Sequence, residues 1–247
     1  MKKTLTAIMF VATAAFSVQA QTADEIIDNY FEVIGGKEAM AEIKSTTMNA
    51  TIKTQGMELP ATMVNTSDGK MKVSIEFQGM SIVQPAFDGK TGWQTNFMTM
   101  QPEKMDDEQN ALMKDQAADF PDAFLNYKEK GYTATLEGEE TVDGVETHKI
   151  KLVKKPLMID GKEVENATYY FFDKDSGVQI MTRSEAKSGQ MKGMVIESYM
   201  SDYQEVDGLY FPFSMEQKVN GQSQASIVVD KIELNKEVDN AMFAFPE

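Results

Sequence analysis

The sequence predicts a mainly β (α+β) protein built on a meandering antiparallel sheet, and three observations carry that prediction. Two-residue turn signals recur along the chain, at Asp68-Gly69, Asp88-Gly89, Asp143-Gly144, Asp160-Gly161, Asp207-Gly208 and Asn220-Gly221, with Asp175-Ser176-Gly177 as a longer variant. Such pairs suit the positive φ angles of tight hairpins. The segments between them alternate apolar and polar residues, as strands with one wet face do. Helical periodicity is confined to two places. Roughly ten strands joined by short turns describe a sheet that curls as it grows.

The chain opens with the layout of a secretory signal: Lys2 and Lys3, an apolar run from Thr6 to Phe16, and the small-residue site Val18-Gln19-Ala20. Cleavage after Ala20 divides the sequence into a signal peptide, 1–20, and one domain, 21–247, and places the product in the periplasm. No Pro- or Ser-rich linker divides that domain. There is no cysteine, so neither a disulfide nor the acyl anchor of a bacterial lipoprotein is expected.

Thr22 and Glu25 form a capping box, and Ile26, Ile27, Tyr30, Phe31 and Ile34 then share one face of a helix that Gly35-Gly36 stops. A short helical piece, Lys37 to Ile43, follows. Met71, Val73, Ile75 and Phe77 oppose Lys72, Ser74 and Glu76 in a strand. Tyr132, Ala134 and Leu136 alternate with Thr133 and Thr135, and His148, Ile150 and Leu152 with Lys149 and Lys151. Leu209, Phe211, Phe213 and Met215 make a further row, and Val228, Ile232 and Leu234 another. The second helix spans about Met105 to Ala118, its start marked by Asp106, Asp107 and Glu108. Its apolar stripe is thin, so it is expected to be poorly fastened and able to move.

Composition narrows the function. The chain carries 24 Lys+Arg against 39 Asp+Glu, a net charge of −15. That balance argues against nucleic acid as a partner, which calls for a basic footprint, and favours a monomer kept apart by repulsion. Nineteen methionines suit either generic core filling or an adaptable apolar surface. His148 is the only histidine; it sits in a strand beside Ile150 and Leu152 and reads as structural, so no catalytic residue, metal ligand or cofactor is assigned. Asp88-Gly89-Lys90-Thr91 lacks the earlier glycine of a phosphate loop, with Gln84 in its place. Asp173, Asp175 and Gly177 begin like a calcium loop, but Ser184 stands where a bidentate glutamate belongs. Both read as turns.

Five stretches together resemble the outer-membrane lipoprotein-sorting proteins of the LolA/LolB-like superfamily. They are Ile34-Gly35-Gly36-Lys37-Glu38-Ala39, the turn from Phe87 to Trp93, the run from Asn126 to Tyr132, Val142-Asp143-Gly144, and Ser201 to Phe213 with its Asp207-Gly208-Leu209-Tyr210-Phe211-Pro212 centre. The resemblance spans nearly the whole mature chain. It implies a strongly curved, unclosed antiparallel sheet, a half-barrel, with helices on its concave face and an apolar cavity between that accepts acyl chains.

The expected function is therefore a soluble, non-enzymatic carrier of the acyl chains of a lipoprotein or lipid, exchanging with membrane-bound donor and acceptor proteins. A periplasmic sensor or assembly factor that binds a protein segment in the same groove is the alternative. Strand alternation and proximity to the thin helix select Met63, Val73, Ile75, Phe77, Trp93, Phe97, Leu112, Met113 and Phe124 as cavity-lining candidates. Trp93 has two readings, the rim of an apolar opening or the closure of a core end with its indole N–H on a carbonyl.

Overall fold

The computed structural model describes residues 21–246; the signal-sequence reading falls on residues 1–20, outside the described residues. Helix α1 (Ala23–Val33) starts where its sequence says it must. The Thr22 hydroxyl accepts from Glu25 N at 3.2 Å while the Glu25 carboxylate accepts from Thr22 N at 2.7 Å. Ile26, Ile27, Tyr30 and Phe31 are buried along one stripe. The helix ends at Gly35, whose φ of +109° and whose packing both require glycine: a Cβ there would lie 2.3 Å from the Gly208 carbonyl oxygen. Helix α2 (Lys37–Ala41) follows.

The chain then makes β1 (Ser45–Thr54), β2 (Met57–Thr66), β3 (Met71–Phe77), β4 (Met80–Phe87), β5 (Gly92–Thr95) and β6 (Pro102–Lys104), crosses over through helix α3 (Asp107–Ala117), and resumes with β7 (Thr133–Val142) and β8 (Val145–Val153). A small hairpin, β9 (Leu157–Ile159) and β10 (Lys162–Val164), precedes β11 (Ala167–Asp173), β12 (Gln179–Glu185), β13 (Val195–Val206), β14 (Leu209–Val219) and β15 (Gln222–Leu234). Thirteen strands form one antiparallel sheet, in the order β6-β5-β4-β3-β2-β1-β15-β14-β13-β12-β11-β8-β7. The last strand returns beside the first, with Thr46 opposite Leu234 and Ile52 opposite Ile227. β6 and β7 are the two edges, so the sheet is curved and unclosed.

Fifteen strands exceed the ten or so expected. The excess comes partly from hairpins whose turn begins with glutamine: Gln55-Gly56 (φ 50° and 77°) and Gln78-Gly79 (φ 52° and 79°) have both central residues at positive φ, the geometry that Asn-Gly and Asp-Gly usually signal. The Asp88 and Asp173 motifs are indeed turns. Asp88 Oδ1 accepts from Lys90 N and Thr91 N at 2.8 and 2.7 Å, and Asp173 accepts from Asp175 N, Ser176 N and Ser176 Oγ.

The two faces of the sheet are covered differently. On the inner face, α1 and residues 120–132 pack over β8 and β11 in a cluster that includes Phe31, Phe124, Ile150, Leu152, Tyr170 and Phe172. Phe124 stacks edge-on against Tyr170 at 4.6 Å. Phe211 and Leu234 connect this cluster to a second one made by Ala50, Phe213, Val229 and Ile232. On the outer face, a 3-10 turn (Asn240–Phe243) fastens the C-terminal segment across β1, β3 and β5. Ser45 Oγ donates to Lys236 O at 2.8 Å, and Phe243 is fully buried.

Candidate binding site

The inner face is filled by the protein's own side chains beneath α1, but not at the far end of β1 to β4. There the register sets Ile52 opposite Leu59, and Ile75 opposite both Ala61 and Ile82. Alternation brings these side chains to one face as an apolar row. Ile52, Leu59, Ile75 and Ile82, with Met57, Phe77, Phe97 and Met100, line an open hollow of about 530 Å³, and Thr54 and Gln55 are its polar lining residues. That volume lies within the range of small-molecule sites.

The hollow carries no charged side chain. Lys53 and Glu58, which alternate with Ile52 and Leu59, point to the opposite face and pair there at 3.0 Å. One wall is the β5–β6 loop, which its own hydrogen bonds shape. Asn96 Oδ1 accepts from Met98 N at 2.9 Å and from Thr99 N at 3.2 Å, and Asn96 N donates to Gln101 O at 2.9 Å. This closed loop turns Phe97 and Met98 outward, 65% and 95% exposed. The lining holds no ionisable side chain, and the Thr54 hydroxyl is engaged in donating to Gln224 O at 2.9 Å, so the hollow offers a hydrocarbon-like solvent.

Of the nine residues expected to line a cavity, Ile75, Phe77 and Phe97 meet at the hollow. Met63 and Val73 face one another on the same side of the sheet but lie outside its lining. Leu112 and Met113 are half-buried on α3, and Phe124 is fully buried in the α1 cluster. Trp93 is on the other face: it is in register with Ala86 and Lys72, and Lys72 stands three residues from Ile75. There its indole N–H donates to Phe243 O at 3.0 Å, as the core-closing reading has it. Ile52, Leu59 and Ile82 escaped selection although they alternate with polar neighbours, because the Gln-Gly turns beside them carry no standard hairpin signal.

Helix α3 has no buried residue, as its thin stripe implied, and polar contacts hold it. Asp106 and Gln109 form its capping box, and Asn110 Oδ1 accepts from Gly92 N at 2.6 Å. At the other end Lys154 Nζ lies 2.6 Å from Asp115 and 2.8 Å from Asp119. Asn166 Nδ2 donates to Asp115 at 2.9 Å, and Glu108 accepts from Asp160 N at 3.0 Å. The helix thus ties the β5 side of the sheet to the β8–β11 connection. Burial pushes the Asp119 carboxyl up from its ordinary range, with Lys154 opposing; burial also disfavours the Lys154 ammonium, but Asp119 and Asp115 outweigh it and raise its pKa. Asp122, in the next turn, is raised by desolvation despite accepting from Phe124 N and Tyr30 OH at 2.8 Å each.

This arrangement of sheet, helices and connection matches known structures. A LolA superfamily protein from Nitrosomonas europaea superposes with a TM-score of 0.55, over 91% of this chain and 98% of that one, at 11% identity. The fold is LolA-like. A domain from Vibrio parahaemolyticus named for outer membrane lipoprotein sorting gives a TM-score of 0.54 at 10% identity, over 90% and 97% of the two chains. A DUF1329 family protein from Desulfovibrio piger gives 0.53 at 14%, over 89% and 97%. No protein-family profile and no curated protein matches the sequence. At these identities the likeness establishes the LolA-like fold and leaves the activity to the site.

Proposed function

We propose that the protein is a non-enzymatic periplasmic carrier that holds an acyl chain of a lipoprotein or lipid in the hollow between β1–β4 and the β5–β6 loop. The observation that carries this reading is the uncharged, apolar lining on a sheet face that is packed beneath α1 but left open here. Each methylene moved from water into such a space contributes about 0.8 kcal/mol, so a chain of roughly ten buried carbons is held by several kcal/mol after its ordering cost. Transfer also requires release, and an open hollow walled by methionines and one loop suits that better than a closed, complementary cavity.

The test is purification without detergent, denaturing extraction and mass spectrometry of the extract, together with titration of a fluorescent fatty-acid probe. A co-purifying amphiphile and saturable probe binding are expected. An empty extract combined with no probe binding would defeat the proposal.

A further inference from the structure

The turns at the two ends of the sheet differ in kind. Because the strands are antiparallel, the β1–β2, β3–β4, β5–β6, β8–β11, β12–β13 and β14–β15 connections emerge at one end, and the β2–β3, β4–β5, β7–β8, β11–β12 and β13–β14 turns at the other. The second end carries an aspartate in every turn: Asp68, Asp88, Asp143, Asp175 and Asp207. The first end carries all six exposed methionines among the described residues, Met57, Met80, Met98, Met158, Met191 and Met194. The three connections around the hollow, residues 54–57, 78–81 and 95–102, contain no charged residue, in a chain where 26% of residues are charged.

From this segregation we infer that the methionine-bearing end docks on the surface of a net-neutral lipid bilayer, with Met98, Met80 and Phe97 entering its interface. The inference rests on the carrier reading, since docking there sets the mouth of the hollow against the membrane that supplies or receives its ligand. Three features favour a bilayer as the occupant. The protruding side chains are apolar and flexible, and a lipid surface rewards their burial without demanding a matching shape. The three turns hold no charge that would have to be desolvated. The five aspartate turns of the other end are held away from the headgroups, and Asp160, in the β9–β10 hairpin of the methionine-bearing end, is paired with Lys192 at 2.6 Å.

Flotation with phosphatidylcholine vesicles tests this, using the purified protein and a Met80→Asp/Met98→Asp variant. Both residues lie outside the lining of the hollow, so fatty-acid probe binding should be unchanged while vesicle partitioning falls at least tenfold. Val145→Asp, at the acidic end, should leave both readouts as they are. Probe binding without any vesicle partitioning by the unsubstituted protein, or equal partitioning by the double variant, would overturn the docking inference and leave the carrier reading standing. Loss of probe binding by all proteins would instead count against the carrier reading. Capture by a purified membrane protein in the absence of lipid, abolished by the same double variant, would assign the surface to a protein partner and also overturn the inference.

Discussion

Trp93 donates its indole N–H to the Phe243 carbonyl at 3.0 Å, and its ring meets Phe245 edge-on at 6.1 Å. The sole tryptophan therefore reports on the C-terminal segment rather than on the hollow, from which the sheet separates it. Removing residues 239–247 should shift its emission to the red and free the β5–β6 edge, whereas a fatty acid bound in the hollow should leave the emission maximum in place. Steady-state fluorescence of the two samples checks both expectations. Trp93→Phe should cost about 1 kcal/mol for the lost hydrogen bond, plus the packing of the larger ring.

Ile75 stands at the centre of the apolar row, opposite Ala61 and Ile82. It is only partly buried, so a polar replacement there should fold. Ile75→Asn removes apolar contact worth about 2 kcal/mol and puts an amide where no partner awaits it. The expected result is roughly a thirtyfold rise in probe Kd with little change in Tm. Val73→Asn, on the same face but outside the lining, is the control and should weaken probe binding much less.

The strand rows could be read because their period is two and their turns carry Asp-Gly or Asn-Gly. Those two signals place His148 to Leu152 and Leu209 to Met215 correctly, and the Thr22–Glu25 box marks the start of α1. Other elements resisted for stated physical reasons. The Gln55 and Gln78 turns adopt positive φ with residues that seldom do, so the hairpins that frame the hollow gave no local sign. Trp93 shares a β-edge with Phe97, but which face a four-residue strand shows depends on the bulge between Lys72 and Ser74 and on the C-terminal segment 150 residues away. Phe124 looked available to a ligand because its tertiary partner, Tyr170, lies on a strand outside its local sequence. Local pattern identifies strands; which apolar face stays uncovered is decided by contacts between distant segments.

Among the described residues, Lys154 is the one cation that pairs with both Asp115 and Asp119, and it is 9% exposed. Replacing it with methionine leaves two carboxylates facing each other at the end of a helix that has no buried residue. Breaking a buried pair of this kind costs about 3 kcal/mol. The loss should be local, seen as faster amide exchange across residues 107–117 with α1 unchanged. The pH dependence has a definite sign. The folded-state pKa of Lys154 is raised, so its contribution is full below the ordinary lysine value and is lost as pH climbs through the raised one. Asp119 is raised as well, so its own titration disfavours the folded state once pH exceeds the normal carboxylate range and adds no acid lability. The protection factors of α3, taken relative to the intrinsic base-catalysed rate, should therefore fall at alkaline pH, and earlier than those of α1. A uniform fall in protection across the whole domain would show that the ion pairs do not act on α3 alone.

Methionine exposure sets an order of chemical vulnerability. Met98 is 95% exposed, Met158 53%, Met191 49% and Met80 48%, while Met40 and Met181 are 3% and 0%. Hydrogen peroxide transfers one oxygen to a thioether, giving a sulfoxide and water, and does so where the sulfur is reached. Peptide mapping after limited treatment should find Met98 oxidised first, Met80, Met158 and Met191 next, and Met40 and Met181 only on unfolding. A sulfoxide is polar, so vesicle partitioning should fall in step with oxidation of Met98 and Met80. Probe binding should persist until Met57 and Met100, which line the hollow, are converted. A Met80→Leu/Met98→Leu variant should keep its partitioning through the early phase, because leucine preserves the apolar contact and offers no sulfur. Equal oxidation rates at Met98 and Met181 would mean that the protein in solution does not protect its core as this packing requires.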